Sequence, residues 1–147
     1  MHFWDKHKNI SNYYEKLTKS ICEKYKLTQM EYDILMFIFY NPQYNTASDI
    51  VKIKKSTKSH VSTSLKSLED KNLIIKRQSQ NNKKYYQIFL KDNANEIIEY
   101  GKKIQKKFVK DLFEGISNDE IIIFKKVFDQ ICKNADLYLK DWGDLYV

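Results

Sequence analysis

The 147-residue sequence is poor in residues that interrupt helices and in residues that crosslink a small fold. It contains three Gly, one Pro and two Cys, and no apolar run approaches the roughly 18 to 20 residues of a membrane span. Few Gly and Pro favour long helices over a many-turned β fold. Cys22 and Cys132 form no C-x-x-C pattern, which favours a reducing compartment. We therefore expect a mainly α-helical, cytoplasmic protein without a membrane-spanning segment.

Catalytic and metal-binding patterns are also missing. His2, His7 and His60 do not have the spacing of metal ligands, and the chain lacks a P-loop, a nucleotide-binding glycine run, G-x-S-x-G and H-E-x-x-H. We expect neither an enzyme nor a bound metal or cofactor.

What the chain has in excess is positive charge. It carries 26 Lys and Arg against 19 Asp and Glu, a net charge of +7, and Arg77 is its one Arg. Such a balance favours a polyanionic partner, with nucleic acid ahead of an anionic membrane surface.

The order of the predicted elements indicates an architecture for residues 27–90. A buried helix begins at a Thr28/Glu31 capping box and ends at Asn41-Pro42, and a two-turn helix follows from Thr46. An amphipathic helix over 56–70 and two β-prone runs, 73–77 and 84–90, come next. Three core helices and a two-stranded β-wing make a winged helix-turn-helix, whose third helix enters the DNA major groove.

The third helix is unusually rich in hydroxyl side chains. Val61, Leu65 and Leu68 form its apolar line, and no Asp or Glu occurs between Ser56 and Leu68. A face exposed only to water would be better served by Glu and Lys, whereas short hydroxyls let a DNA backbone approach closely. The predicted groove-facing set is Ser56, Ser59, His60, Ser62, Thr63 and Lys66.

The wing concentrates positive charge, because no acid occurs between Asp70 and Asp92. We expect four side chains there to contact the DNA backbone: Lys76, Arg77, Lys83 and Lys84.

The segments "LTQMEYDIL", "ASDIV", "VSTSLKSLEDKNLI" and "KKYYQIFL" resemble the MarR family of bacterial transcriptional regulators, over about residues 10–140. Asn72 stands where the family usually has Gly, and both suit a left-handed helix end. Asn82 and Lys84 replace the family's wing Asp and Arg, and Thr63 replaces an Arg often found in the recognition helix.

The resemblance implies one MarR-like domain over 1–147, with residues 3–25 and 92–140 as dimerisation helices. It implies a homodimeric repressor that binds double-stranded DNA at a pseudo-palindromic operator. Apolar stripes on 97–112 and 121–139 that lack a partner agree with dimerisation.

The resemblance also implies that a small phenolic or other lipophilic effector releases the DNA from a crevice beside the winged part. Candidate lining residues are Tyr13, Tyr14, Phe37, Tyr40 and Trp4.

Three alternatives stay open. The aromatic residues at helical spacing can be plain core. The winged helix can bind an acidic protein instead of DNA, and the chain can sense oxidants through Cys22 or Cys132.

Overall fold

The computed structural model describes the backbone of residues 2–145 and the side chains of that range except those of Phe3, Trp4 and residues 141–145. The expected place of Trp4 at the crevice lies outside the described side chains. The elements are α1 (His7–Tyr25), α2 (Gln29–Tyr40), α3 (Ala47–Lys54), α4 (Lys58–Asp70), β1 (Ile74–Gln78), β2 (Tyr86–Leu90), α5 (Asn95–Leu112) and α6 (Asn118–Leu145). Short 3-10 turns, Phe3–Lys6 and Asp92–Ala94, precede α1 and α5. The mainly α fold with a winged helix-turn-helix is confirmed.

The helix starts follow from local hydrogen bonding. At α2 the Thr28 hydroxyl accepts from the Glu31 N–H (3.1 Å), and the Glu31 carboxylate accepts from the Thr28 N–H (3.3 Å). Thr46 and Asp49 make the same reciprocal pair at α3. Each pair satisfies N–H groups that a helix start leaves without partners, so these sequence signals fix where the helices begin.

A tight turn separates α3 from α4. Lys55 adopts a left-handed conformation with φ 53°, which ends α3 and reverses the chain. Two residues later Thr57 caps α4, since its hydroxyl accepts from the His60 N–H at 3.2 Å. Only Ser56 lies between the left-handed residue and this cap, which sets the angle between the two helices.

The end of α4 turns the chain into the wing. Asn72 has φ 61°, as expected for a residue that replaces Gly there, and the Leu73 N–H donates to the Leu68 carbonyl at 3.0 Å. Leu73 and Leu68 are both buried. This left-handed cap with its apolar contact stops the helix and directs the chain into β1.

The wing is an antiparallel pair in which Ile74 faces Leu90 and Gln78 faces Tyr86. Its base is anchored to the core, because Ile74 and Ile88 are buried. The Ile88 N–H also donates to the Asn45 carbonyl, just before α3, at 2.7 Å. The wing strands and the start of α3 are therefore held together.

The core of the winged part centres on α2, where Tyr32, Ile34 and Leu35 are fully buried. The apolar line of α4, namely Val61, Leu65 and Leu68, is buried as its spacing predicted. Truncating one of these leucines to Ala would cost about 2–5 kcal/mol, from lost burial and the cavity left behind.

An ion pair between the buried Glu31 and the partly exposed Lys71 ties the end of α4 to the start of α2. The Lys71 ammonium lies 2.7 Å from the Glu31 carboxylate and donates to the Lys26 carbonyl at 2.6 Å. Burial raises the pKa of Glu31, but hydrogen bonds from Lys71 and Ser67 outweigh it, and the pKa is lowered overall. The carboxylate therefore stays ionised and holds three chain segments together.

The prediction that the stripe over 97–112 lacks a partner is wrong for the first half of α5. Ile97, Ile98 and Ile104 are buried in the same core as α2. Gly101 allows this approach, since a Cβ there would lie 2.9 Å from the Tyr32 hydroxyl and closer still to the Met36 thioether. Spacing alone could not reveal this neighbour, because a helix stripe does not say which element covers it.

The contacts divide the chain into two compact units, Met1–Phe108 and Val109–Val147. The second unit contains α6, which starts at a Ser117/Glu120 capping box. Between residues 122 and 139 its large apolar side chains are exposed in the single chain, from Ile131 at 40% to Leu139 at 65%. Apart from the half-buried Ile121, the apolar stripe predicted over 121–139 thus has no cover among the described residues of one chain.

Candidate nucleic-acid interface and effector crevice

The face of α4 that points away from the core carries the predicted groove-facing side chains. Five of them are exposed on the helix: Ser59, His60, Ser62, Thr63 and Lys66. The opposite face is buried, and the nearest acids, Glu69 and Asp70, lie at the far end of the helix. The exposed face therefore offers hydroxyls, an imidazole and an ammonium, with no carboxylate along its first three turns.

Two residues at the beginning of α4 differ from the expectation. Ser56 lies in the turn, half-buried, and its hydroxyl donates to the Lys54 carbonyl at 3.4 Å. Lys58, the first residue of α4, is exposed and was not in the predicted set. A Lys in the first turn of a hydroxyl-rich helix was the available signal for it.

The wing tip is a structured turn that presents two ammonium groups. Asn82 accepts from the Lys84 N–H through its side chain (3.1 Å) and from the Tyr85 N–H through its carbonyl (3.0 Å). The Gln78 amide donates to the Lys83 carbonyl at 2.7 Å. Asn82, which stands where the family has Asp, thus organises the turn as an uncharged acceptor. Lys83 and Lys84 are both exposed.

Each of the two cations on β1 contacts another side chain. The Lys76 ammonium lies 3.3 Å from the Glu69 carboxylate, and its side chain is 30% exposed. Arg77 is exposed, and its guanidinium lies 5.4 Å from the centre of the Phe89 ring. Part of the predicted wing charge is therefore neutralised or held against the strand.

A groove joins these parts. It has a volume of about 280 Å³ and is bordered by Ser62 on α4, Lys84 and Tyr85 at the wing, and Thr46 to Ser48 at the start of α3. Lys76 also lines it, and Tyr85 is 49% exposed. The helix face and the wing thus border one concave surface, which is the arrangement that DNA contact by a winged helix requires.

A second candidate site lies between α1, α2, α5 and the end of α3. Two cavities of about 350 and 390 Å³ share Tyr14, Asp33 and Gln105. Of the predicted lining residues, Tyr14, Phe37 and Tyr40 line the first cavity. Tyr13 lines neither, and its ring packs 6.0 Å from that of Phe108, which borders the second. We refer to the two cavities together as the crevice.

Sequence reasoning missed the polar residues of the crevice: Asp33, Lys54 and Gln105. Burial raises the pKa of the Asp33 carboxyl, although Gln29 and the charge of Lys54 lower it in part. Burial, reinforced by Asp33, also raises the pKa of the Tyr14 hydroxyl to about 12. A carboxylate within the otherwise apolar run of α2 was the signal that could have pointed to Asp33.

The two cysteines have contrasting surroundings. Cys22 is buried, and this burial, with the charges of Asp33 and Glu31, raises the pKa of its thiol to about 11. Cys132 is exposed on α6. Because the thiolate is the reactive form, Cys22 is a poor candidate for oxidant sensing at neutral pH.

Among the described residues, no helix has an apolar stretch long enough to cross a membrane. The side chains that the structure describes also bring no three His, Cys, Asp or Glu residues together as a metal-binding group.

The three-helix core, the outward face of α4 and the basic hairpin define a winged helix-turn-helix protein. Residues 27–86 match the model of the MarR family. The match covers the winged part of the chain and agrees with the family resemblance indicated by the sequence.

Solved structures extend the likeness almost to the chain ends. A MarR-family transcriptional regulator from Listeria monocytogenes, complexed with a 26-mer DNA, is 22% identical with a TM-score of 0.83, covering 96% of this chain and 95% of that one. MepR from S. aureus, in a DNA complex, is 20% identical with a TM-score of 0.78, covering 91% and 96%. The transcriptional regulator SlyA is 16% identical with a TM-score of 0.81, covering 99% of both chains. These likenesses establish a shared fold.

Proposed function

We propose that this chain is a sequence-specific, double-stranded DNA-binding transcriptional regulator. The observation that carries the proposal is the groove at which Ser62, on the acid-free face of α4, meets Lys76 and Lys84 of the wing. Ser59, Ser62 and Thr63 are short enough to let the α4 backbone approach base edges and phosphates. Lys83 and Lys84 supply the charge that phosphate binding needs.

The other predicted contacts have smaller roles in this proposal. His60 and Lys66 lie on the exposed face of α4 and can reach base edges or phosphates. Lys76 and Arg77 act mainly by positioning the wing, because one is paired with Glu69 and the other lies against Phe89. Ser56 contributes to the turn before α4.

The proposed active form is a homodimer whose helices over 3–25 and 92–140 pair, with the exposed apolar side of α6 at the centre. Phe124 and Phe128 stack at 5.6 Å between ring centroids, and both are about half exposed. Packing the apolar side of α6 against a second copy removes that surface from water. Two-fold symmetry brings the same side of both chains together. Two winged parts in a dimer would read a pseudo-palindromic operator.

The proposed outcome of binding is repression, with release when a small lipophilic effector enters the crevice lined by Tyr14, Phe37 and Tyr40. A cytoplasmic location follows from the proposed DNA partner.

Selection of bound duplexes from a random pool tests the proposal. We expect enrichment of a pseudo-palindromic site with an affinity that falls steeply with salt concentration. Thr63→Ala should change the preferred bases, whereas Gln43→Ala, at an exposed polar residue between α2 and α3, should not. Enrichment of no sequence, together with capture of an acidic protein by the α4 face, would support the protein-interaction alternative.

The oxidant-sensing alternative now depends on Cys132. It predicts that peroxide abolishes DNA binding by the wild type and spares Cys132→Ser, while the Cys22→Ser variant behaves like the wild type.

A further inference from the structure

The crevice holds a carboxylate whose negative charge is only partly compensated. Asp33, on α2, lines the same cavity as Tyr14, Phe37 and Tyr40. Gln29 donates a hydrogen bond to its Oδ1 at 3.0 Å, and the Thr18 hydroxyl fixes that amide by donating to Oε1 at 2.9 Å. This is the one hydrogen bond that the described residues give Asp33, so most of its acceptor capacity has no donor among them.

The nearest cation in the crevice does not neutralise Asp33 directly. Lys54 lines the same cavity, but its ammonium lies 5.9 Å from the centre of the Phe37 ring and makes no ion pair with Asp33 within 4.0 Å. It therefore acts on the carboxylate at longer range. The Lys54 ammonium thus lies near the Phe37 ring, in the same cavity as the Asp33 carboxylate. A cationic ligand would make these same two kinds of interaction.

A second carboxylate adds to the negative charge that lines the crevice. Glu15, which is exposed, borders the adjoining cavity with Tyr14, Phe108 and the shared Asp33. An anionic ligand such as a phenolic acid would approach two carboxylates and one ammonium. A neutral ligand without a hydrogen-bond donor would leave the carboxylate of Asp33 without a partner, which costs free energy. A ligand with an ammonium group and an aromatic body meets neither penalty.

We propose that the crevice binds a lipophilic aromatic ammonium ion, with Asp33 facing the ammonium and the rings of Tyr14, Phe37 and Tyr40 against the apolar part. This assignment rests on the proposed function, which makes the crevice an effector site, and it narrows the phenolic or other lipophilic effector implied by the family resemblance to a cation. The first cavity, about 350 Å³, is within the range of pockets that hold small molecules and suits a bicyclic aromatic body.

Lys54 competes with such a ligand in this arrangement. The incoming ammonium takes a place near Asp33 and an aromatic face, so the Lys54 ammonium has to move away from both. Removing the charge at residue 54 should then strengthen ligand binding, whereas removing the charge at residue 33 should weaken it.

Isothermal titration of the full chain without DNA, at pH 7, tests the assignment with three probes that share one ring system. The probes are 2-naphthylmethylamine, which is a cation at this pH, 2-naphthoate, an anion, and neutral 2-methylnaphthalene. We expect the amine to bind at least about tenfold more tightly than either of the others. A tenfold difference corresponds to about 1.4 kcal/mol, within the range of a partly buried ion pair with a cation–π contact.

Variants assign the effect to the crevice. Asp33→Asn, which keeps the shape of the side chain, should weaken amine binding by about tenfold and leave 2-methylnaphthalene binding unchanged. Lys54→Gln should strengthen amine binding. The matched control, Glu99→Gln on the exposed surface of α5, should change neither affinity.

Equal affinity of wild type for the amine and the naphthoate, or tighter binding of the naphthoate, would overturn the assignment without any variant. Equal amine affinity of Asp33→Asn and the wild type would do the same. Because the titration contains no DNA, a chain that binds the amine but no duplex would refute the proposed function alone. A chain that binds its operator and prefers the naphthoate would refute the ligand class alone.

Discussion

Removing the two ammonium groups at the wing tip gives the most quantitative test of the DNA interface. The perturbation is Lys83→Ala together with Lys84→Ala. Neither ammonium has an ion-pair partner among the described residues, and the backbone groups of both form the turn that Asn82 organises. The substitution therefore removes charge while the hydrogen bonds that shape the tip remain possible.

The magnitude follows from counterion release. Each phosphate that a Lys neutralises contributes about 0.9 to the slope of log affinity against log salt concentration. Two lysines on each of two wings make about four contacts in the proposed dimer, so the slope should become shallower by about 3.6. Between 50 and 200 mM salt, the double variant should lose roughly two orders of magnitude less affinity than the wild type.

The assay is fluorescence anisotropy with a selected operator duplex and an unrelated duplex of equal length, over that salt range. Weakening should be similar for both duplexes, because phosphate contacts carry no sequence information. Lys103→Ala together with Lys106→Ala, two exposed lysines on α5, gives the matched change of net charge and should leave the slope near that of the wild type. Lys76→Ala should have a smaller effect per residue than Lys83→Ala, because Glu69 already neutralises it.

The reasoning fails if the wing variant keeps the wild-type slope, or if the α5 control lowers the slope by the same amount. The first result would mean that the wing does not contact phosphates. The second would mean that net charge of the chain, and not a located contact, sets the salt dependence.

Three further predictions concern stability, assembly and regulation. Glu31→Gln should lower the free energy of unfolding at pH 7 by about 1–3 kcal/mol through loss of the Lys71 pair. The pKa of Glu31 is lowered in the folded chain. Its contribution to the free energy of unfolding is therefore present above its unfolded pKa of about 4.3 and is lost as pH falls through its folded pKa. Urea unfolding curves of variant and wild type should then converge in acid. Phe128→Asp should raise the dissociation constant of the dimer by at least about 100-fold, which corresponds to roughly 3 kcal/mol. Light scattering should then report a monomer, whereas Gln43→Asp, in the exposed loop between α2 and α3, should remain dimeric. A Phe128→Asp dimer of normal stability would place the interface elsewhere. Addition of 2-naphthylmethylamine should weaken operator binding of the wild type by about 5- to 150-fold, the usual span of coupled sites, and should have little effect on Asp33→Asn.

Sequence reasoning succeeded where the cause of structure is local. The capping boxes at Thr28 and Thr46 join residues three positions apart, so the residue types alone specify the hydrogen bonds. The left-handed conformation of Asn72 also follows from its own side chain and its place after a helix. The apolar line of α4 could be predicted from the sequence because side chains on one face of a helix recur with a fixed period.

Sequence reasoning failed where the cause is a partner distant in the chain. Lys71 reaches Glu31 across 40 positions, and nothing near either residue indicates the other. The pairing of the Lys76 ammonium with Glu69, at the end of α4, was likewise not indicated by the run of positive charge in which Lys76 lies. The burial of Ile97 and Ile104 against the α2 core depends on how α5 packs, and a stripe of apolar residues cannot specify that.

The two candidate sites are connected by one short helix. The start of α3, at Thr46 to Ser48, borders the groove between α4 and the wing, and its last residue, Lys54, lines the crevice. Eight helical residues span about 12 Å, and a helix of this length moves as a unit because its backbone hydrogen bonds resist bending. A ligand that displaces the Lys54 ammonium therefore acts at one end of an element whose other end positions the DNA groove. The turn at Lys55 and Ser56 leads from the same end directly into α4. For α3 to couple the two sites, the ligand must bind more tightly to one placement of this helix than to another. Lys54 is the residue of α3 that lines the crevice, so its side chain supplies the contact that distinguishes the two placements.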